Sequence, residues 1–181
     1  MDMAFLTSYP VLNNDLTLLP TLQALKLVVF DVDGVLTDGR LLYTEHGETL
    51  KRFNVKDGVA MKLLPQWGVQ VAVITAKDSA PLRQRMKELK VAHFYPGCHN
   101  KAAAFDELIA QLGITSAEAA YVGVDVIDLQ VMPNVGVALC PADAHILVQR
   151  YCHLVLNKSA GEGVAREVAD MVLASRMPSA A

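Results

Sequence analysis

The chain has 181 residues, which fits a single domain around one hydrophobic core. Its 52% hydrophobic and 19% charged composition excludes the disordered class, and a formal net charge of -3 argues against the broad basic surface of a nucleic-acid-binding protein. No apolar run reaches the roughly 18 residues that a membrane-spanning helix needs.

Residues 1–24 show no clear period and are punctuated by Pro10, Asn13, Asn14 and Pro20, so they read as an N-terminal leader with one short helix. They contain no Lys or Arg and include Asp2 and Asp15, unlike a secretory signal, and the expected location is the cytoplasm. Leu27-Val28-Val29-Phe30 is a continuous apolar run ending at Asp31, as expected of a central parallel strand buried on both faces. A β-hairpin follows at about 39–54, with two β-prone runs around Glu45-His46-Gly47-Glu48. Asp57 is expected to cap a helix over 58–64, closed by Pro65, Trp67 and Gly68.

Val71 to Ile74 is a second buried strand, and it delivers Thr75 to its end. Leu82, Met86 and Leu89 share one face of a helix, and Phe105, Leu108, Ile109 and Leu112 share a face of another that opens near Lys101 and stops at Gly113. Between them, His93 to Tyr95 is a short strand. Further strands are expected at 120–123, 135–139 and 153–156, with helices over 142–149 and 164–174. Repeated βα units with short loops imply an α/β fold with a doubly wound parallel sheet. Cys98, Cys140 and Cys152 match neither a disulfide framework nor a zinc site and read as ordinary reduced thiols.

In such a sheet, ligands bind beyond the carboxyl ends of the strands. The residues found there are Asp31 and Asp33, Thr75, Lys101 at a helix start, and Asp125 with Asp128. Carboxylates, a hydroxyl and an amine converging from distant positions are hard to explain by packing alone. Asp31-Val32-Asp33-Gly34-Val35-Leu36-Thr37 fits DxDGxxT without a departure. This string resembles the signature of the haloacid dehalogenase superfamily, whose fold is Rossmann-like. The resemblance implies a phosphatase: Asp31 attacks phosphorus, and Asp33 is the general acid/base. Thr75 and Lys101 match the second and third family motifs, where a hydroxyl and an ammonium hold the phosphoryl group. A phospho-acceptor signalling domain also uses acidic residues, Thr and Lys, but it does not place DxDGxxT after its first strand.

The family uses Mg²⁺, and the resemblance implies Asp31, Asp33 through its backbone carbonyl, and an acid of the fourth motif as its ligands. Gly123-Val124-Asp125-Val126-Ile127-Asp128 resembles GDDxxD with Val124 in place of the first acid. Three outcomes follow: Asp125 takes the ligand place, Asp128 or water compensates, or metal affinity falls. The first is favoured, because other superfamily branches place an extra residue between the Gly and the ligating acid.

The strings Asp38-Gly39, Phe53 to Gly58, Asn100-Lys101, Ala142 to His145 and Gly163 to Glu167 are similar to the branch that dephosphorylates 3-deoxy-D-manno-octulosonate 8-phosphate in lipopolysaccharide synthesis. That resemblance implies a single catalytic domain over 25–174 with a flexible tail at 175–181. The interval from Asp33 to Thr75 leaves room for the hairpin alone, so the domain is capless. It also implies a homotetramer whose hairpins form a central barrel, with Leu41, Leu42 and Tyr43 on a buried hairpin face, and Lys77 and Arg166 on the substrate. Lys77 stands where close relatives carry Arg, and Glu162 reverses a positive charge of theirs. These departures leave a nonulosonate 9-phosphate, or a catalytically impaired phosphosugar-binding role, as alternatives.

Overall fold

The run Leu27–Phe30 forms strand β1, and all four of its residues are buried. Its alternation splits the core: Val28 and Phe30 pack into one hydrophobic cluster, Leu27 and Val29 into another on the opposite face. The computed structural model describes residues 16–176. Beyond β1 the strands are β2 (Leu42–Thr44), β3 (Gly47–Leu50), β4 (Gln70–Ile74), β5 (His93–Tyr95), β6 (Ala119–Val122), β7 (Val137–Cys140) and β8 (Leu154–Val155). The helices are α1 (Leu19–Ala24), α2 (Val55–Leu63), α3 (Ala80–Leu89), α4 (Lys101–Leu112), α5 (Ile146–Tyr151) and α6 (Val164–Ser175).

Six strands make one sheet in the order β5-β4-β1-β6-β7-β8, with every pairing parallel. Residues of α1, α2, α3 and α6 cover the face containing Val28 and Phe30, while α4 and α5 cover the other. This is the doubly wound α/β architecture that the sequence implies. Strands β2 and β3 pair antiparallel as a separate hairpin through a turn at Gly47, whose φ of 92° suits a residue without a Cβ. Leu41, Leu42 and Tyr43 are exposed in this single chain, at 45%, 47% and 66%, so the hairpin does not pack them on its own domain.

Several boundaries differ from expectation for identifiable reasons. Helix α2 starts at Val55, because the Asn54 side chain accepts a hydrogen bond from the Lys56 amide at 2.9 Å and caps it. Asp57 is not that cap. It is buried and reaches across to α6, where it accepts a hydrogen bond from the Arg166 amide at 3.0 Å. The expected helix over 142–149 starts only at Ile146, with His145 at its cap. The preceding amides are committed elsewhere: Ala142 donates to the Lys158 carbonyl and His145 to that of Val124, at 3.0 and 2.9 Å.

Leader residues 1–15 and tail residues 177–181 lie outside the described part of the chain. The described end of the leader forms a 3-10 turn at Leu16–Leu18 that runs into α1, whose Gln23 donates to the Ser175 carbonyl at 2.7 Å. At the other end, the Arg176 guanidinium donates to the carbonyls of Trp67 and Leu25.

Burial raises the Asp57 carboxyl from 3.8 to about 6, against the pull of the Arg166, Ala165 and Gly163 amides. The folded state therefore favours the neutral acid, and stability linked to Asp57 is full below its unfolded value and lost as pH rises toward 6. Asp57→Asn should remove this loss. In urea titrations, the variant is expected to gain about 3 kcal/mol relative to wild type between about pH 4 and about pH 7.

Candidate active site

Asp31 follows β1 directly, and its amide donates to the Val122 carbonyl of β6 at 3.0 Å, which extends the sheet by one residue. The chain then coils tightly: the amides of Val35, Leu36 and Thr37 all turn back to the Val32 carbonyl. Gly34 permits this turn with φ at 87°, and a Cβ there would stand 3.1 Å from the Val124 side chain. Buried Thr37 lies within hydrogen-bonding reach of the Gly34 and Gly39 amides, each 3.4 Å from its hydroxyl. Its place in the motif is thus explained by loop closure.

Lys101, the first residue of α4, carries its ammonium to the end of β1. Nζ lies 2.9 Å from Asp31 Oδ2 and 2.7 Å from Asp128 Oδ1. Asp128 is fully buried and saturated: Oδ1 also accepts from the Tyr121 hydroxyl at 2.9 Å, and Oδ2 accepts from the amides of Val124 and Asp125 at 2.8 and 3.1 Å. Asp31 Oδ1 accepts from the Val32 amide at 2.7 Å. Burial, reinforced by Asp128, pushes the Asp31 carboxyl up to about 6 although Lys101 pulls it down. For Lys101, burial alone would lower the ammonium, but Asp31 and Asp128 outweigh it and hold the group above the ordinary lysine value.

Thr75 stands buried at the end of β4, beside β1, with its amide bonded to the Tyr95 carbonyl at 3.1 Å. Asp33 lies on the hairpin side of the loop, where its Oδ1 accepts from Lys51. Lys51 has a side chain only 1% exposed and also pairs with Glu48 at 2.8 Å, and Glu48 meets Lys77 at 3.5 Å. The hairpin therefore joins Asp33 to Lys77 through two residues that sequence reasoning missed. Their charged side chains at the end of a short hairpin carried no signal of this burial. Hydrogen bonding from Lys51 holds the Glu48 carboxyl below its ordinary value.

Arg166 lies in the first turn of α6 and its guanidinium is bound to Asp170 at 2.9 Å, not to the carboxylates of the β1 loop. The segment before α6 does abut that loop. The Gly161 amide donates to the Val35 carbonyl at 3.0 Å, and a Cβ on Gly161 would come within 2.6 Å of the Asp38 amide nitrogen. Glu162 is paired with Arg52 at 3.0 Å, so its charge is met by the hairpin side.

For a hard divalent cation, the donors present are only partly assembled. Asp31 supplies a carboxylate and Asp33 a backbone carbonyl, while Asp33 Oδ2 is buried without a hydrogen-bond partner among the described residues. Val124 offers no oxygen donor from its side chain. Asp125 is exposed, and its Oδ1 accepts from the Val126 amide at 2.6 Å as the cap of a 3-10 turn at Val126–Gln130. Asp128 completes that capping box from the other side. Among the described residues, no three His, Cys, Asp or Glu side chains are gathered tightly enough to enclose a metal.

A parallel sheet whose first strand ends in a buried Asp, met by a lysine from a later helix, defines a phosphohydrolase of the haloacid dehalogenase superfamily. No protein-family model matches the chain. It is 41% identical to the 3-deoxy-D-manno-octulosonate 8-phosphate phosphatase KdsC of Haemophilus influenzae over 152 residues, 84% of each chain. It is 39% identical to the Yersinia pestis enzyme of the same name, over 82% of this chain and 80% of that one. The cobalt-bound structure of the Haemophilus influenzae phosphatase superposes with a TM-score of 0.84 at 40% identity, covering 86% of this chain and 91% of that one. A Moraxella catarrhalis phosphatase solved with magnesium, phosphate and KDO gives 0.85 at 31% identity, covering 88% and 91%. The chain belongs to the 3-deoxy-D-manno-octulosonate 8-phosphate phosphatase family.

Replacing Lys51 by Met would leave Asp33 and Glu48 without their shared cation in a largely dry site. Lys51→Met is expected to lower the unfolding free energy by about 2 kcal/mol, less than a fully buried pair would lose because Asp33 is partly exposed. Urea denaturation near neutral pH measures this.

Proposed function

We propose that residues 25–174 form one catalytic domain that hydrolyses a sugar phosphate monoester, 3-deoxy-D-manno-octulosonate 8-phosphate, to the free sugar acid and phosphate. The observation that carries this reading is the contact of Asp31 Oδ2 with Lys101 Nζ at 2.9 Å, which aligns a buried nucleophile beside a fixed positive charge. The names of the relatives supply the substrate.

In this reaction the Asp31 carboxylate attacks phosphorus, and the bond from phosphorus to the sugar oxygen breaks. Asp33 gives its proton to that oxygen, then takes one from the water that attacks the aspartyl-phosphate and regenerates Asp31. Lys101 and Thr75 hold the phosphoryl oxygens. Lys51 bonds Asp33 from the hairpin side. Mg²⁺, held by Asp31, the Asp33 backbone carbonyl and Asp125, would neutralise phosphate charge when bound. Asp125 would then give up its cap on the 3-10 turn.

Lys77 and Arg166 are the proposed contacts to the sugar acid. The alternative substrate, a nonulosonate 9-phosphate, draws support from Lys77, which puts a point charge in place of a planar guanidinium, and from Glu162, which reverses a charge, where an acidic sugar would lie. The proposed assembly is a homotetramer in the cytoplasm. The exposed Leu41, Leu42, Tyr43 and Leu50 of the hairpin support burial against other copies, and among the described residues no helix is long and apolar enough to cross a membrane.

Asp31→Asn should reduce phosphate release with Mg²⁺ by at least about 10³-fold while circular dichroism stays unchanged. Normal turnover in that variant would refute the nucleophile. Across a panel of sugar phosphates, kcat/KM should be highest for the octulosonate 8-phosphate; preference for the nonulosonate 9-phosphate would instead select the alternative. Val124→Asp is expected to tighten Mg²⁺ binding about tenfold by calorimetry, because it restores a hard oxygen beside Gly34.

A further inference from the structure

Two of the three cysteines meet at the edge of the sheet far from each other's secondary structure. Cys140 is the last residue of β7 and is fully buried. Cys152 follows α5, twelve positions later, and is only partly buried. Their sulfurs are 3.3 Å apart, in direct S–H···S contact. The backbone holds them there: the Cys152 amide donates to the Val148 carbonyl, His153 donates to the Ala138 carbonyl at 2.8 Å and accepts from the Ala138 amide through Nδ1 at 2.9 Å, and Leu156 donates to the Cys140 carbonyl at 2.8 Å. Closing the 3.3 Å contact to a disulfide, about 2 Å between sulfurs, brings the two sulfurs about an ångström closer.

The two thiols are also unequal. Cys152 is the less buried residue, and the hydrogen bond between the two thiols lowers the Cys152 thiol below its ordinary value while it raises that of Cys140. The thiolate is the form that attacks an oxidant. Cys98, by contrast, places its sulfur 3.3 Å from the Asn100 carbonyl at the entrance to α4 and has no second thiol beside it.

We propose that Cys140 and Cys152 form a peroxide-reactive dithiol site that closes into an intramolecular disulfide. The Cys152 thiolate attacks one oxygen of hydrogen peroxide; the S–O bond forms, the O–O bond breaks, and the departing hydroxide takes up a proton as water. Cys140 sulfur then attacks the Cys152 sulfenic acid; the S–S bond forms, the S–O bond breaks, and the leaving hydroxide accepts the Cys140 proton. Both thiols are oxidised, one peroxide is reduced, and two waters result. The bond closes a ring around α5 and the segment Pro141–His145. Within that ring, His145 donates to the Val124 carbonyl, Ala142 to the Lys158 carbonyl, and Asp143 accepts from the Ala160 amide. The oxidised staple thus tightens the two loops that border the catalytic edge.

The test treats the full, reduced chain with hydrogen peroxide, then counts thiols after denaturation and maps peptides by mass spectrometry. All three thiols should titrate before treatment and only Cys98 after it, with the 140 and 152 peptides joined, two hydrogens lost, the thermal midpoint raised, and dithiothreitol reversing all of these. Cys152→Ser should keep both remaining thiols through the same treatment. Cys140→Ala should yield a dimedone adduct at Cys152; should that buried substitution fail to fold, the wild-type map and Cys152→Ser decide alone. Three surviving thiols, a link through Cys98, chains joined to one another, or overoxidised Cys152 beside an intact Cys140 would each overturn the proposal.

Discussion

Everything at the catalytic edge depends on how one ammonium is shared between two buried carboxylates. Lys101 bridges Asp31 and Asp128 in a site that admits almost no water. Taking three charges out of solvent costs several kcal/mol for each ion, and this is tolerable only because the remaining valences are filled. Tyr121 and two backbone amides saturate Asp128, so that residue is committed to holding Lys101. Asp31 keeps the less complete environment, and burial, reinforced by Asp128, raises its carboxyl above the ordinary value.

The same logic extends outward through loops rather than strands. Asp57 from α2 meets the start of α6, Glu167 from α6 holds the amides of Asn157 and Lys158, and Asp143 holds that of Ala160. Each is an acidic side chain satisfying backbone donors that no regular element can satisfy. Together they keep the segment 157–163 against the β1 loop, close enough that only glycine fits at position 161. The hairpin adds the opposite charge, with Lys51 on Asp33 and Arg52 on Glu162. The reversed charge at Glu162 is therefore met locally by Arg52.

Much of the architecture is written in local pattern. The continuous apolar runs at 27–30 and 71–74 can be satisfied only as interior parallel strands, and strand-terminal Asp31 and Thr75 follow at once from their ends. Helix α4 is similarly legible from its apolar face and Gly113. Patterns shorter than a turn were less informative. The start of α2 depended on whether Asn54 or Asp57 took the cap, and that choice turned on a distant partner, Arg166. The start of α5 was delayed by amides spent on residues 124 and 158.

The amino-acid order by itself determined the sheet, its handed βα succession and the identity of Asp31, Asp33, Thr75 and Lys101 as strand-end and helix-start groups, because periodicity and motif spacing are properties of neighbours along the chain. Only the tertiary structure decided that Asp128 holds Lys101, that Lys51 is buried on Asp33, that Asp125 caps a turn, and that two thiols twelve positions apart touch. Those facts depend on which side chain fills a space left by elements remote in sequence. Burial and charge pairing at such places are set by three-dimensional packing, and no one-dimensional spacing encodes them.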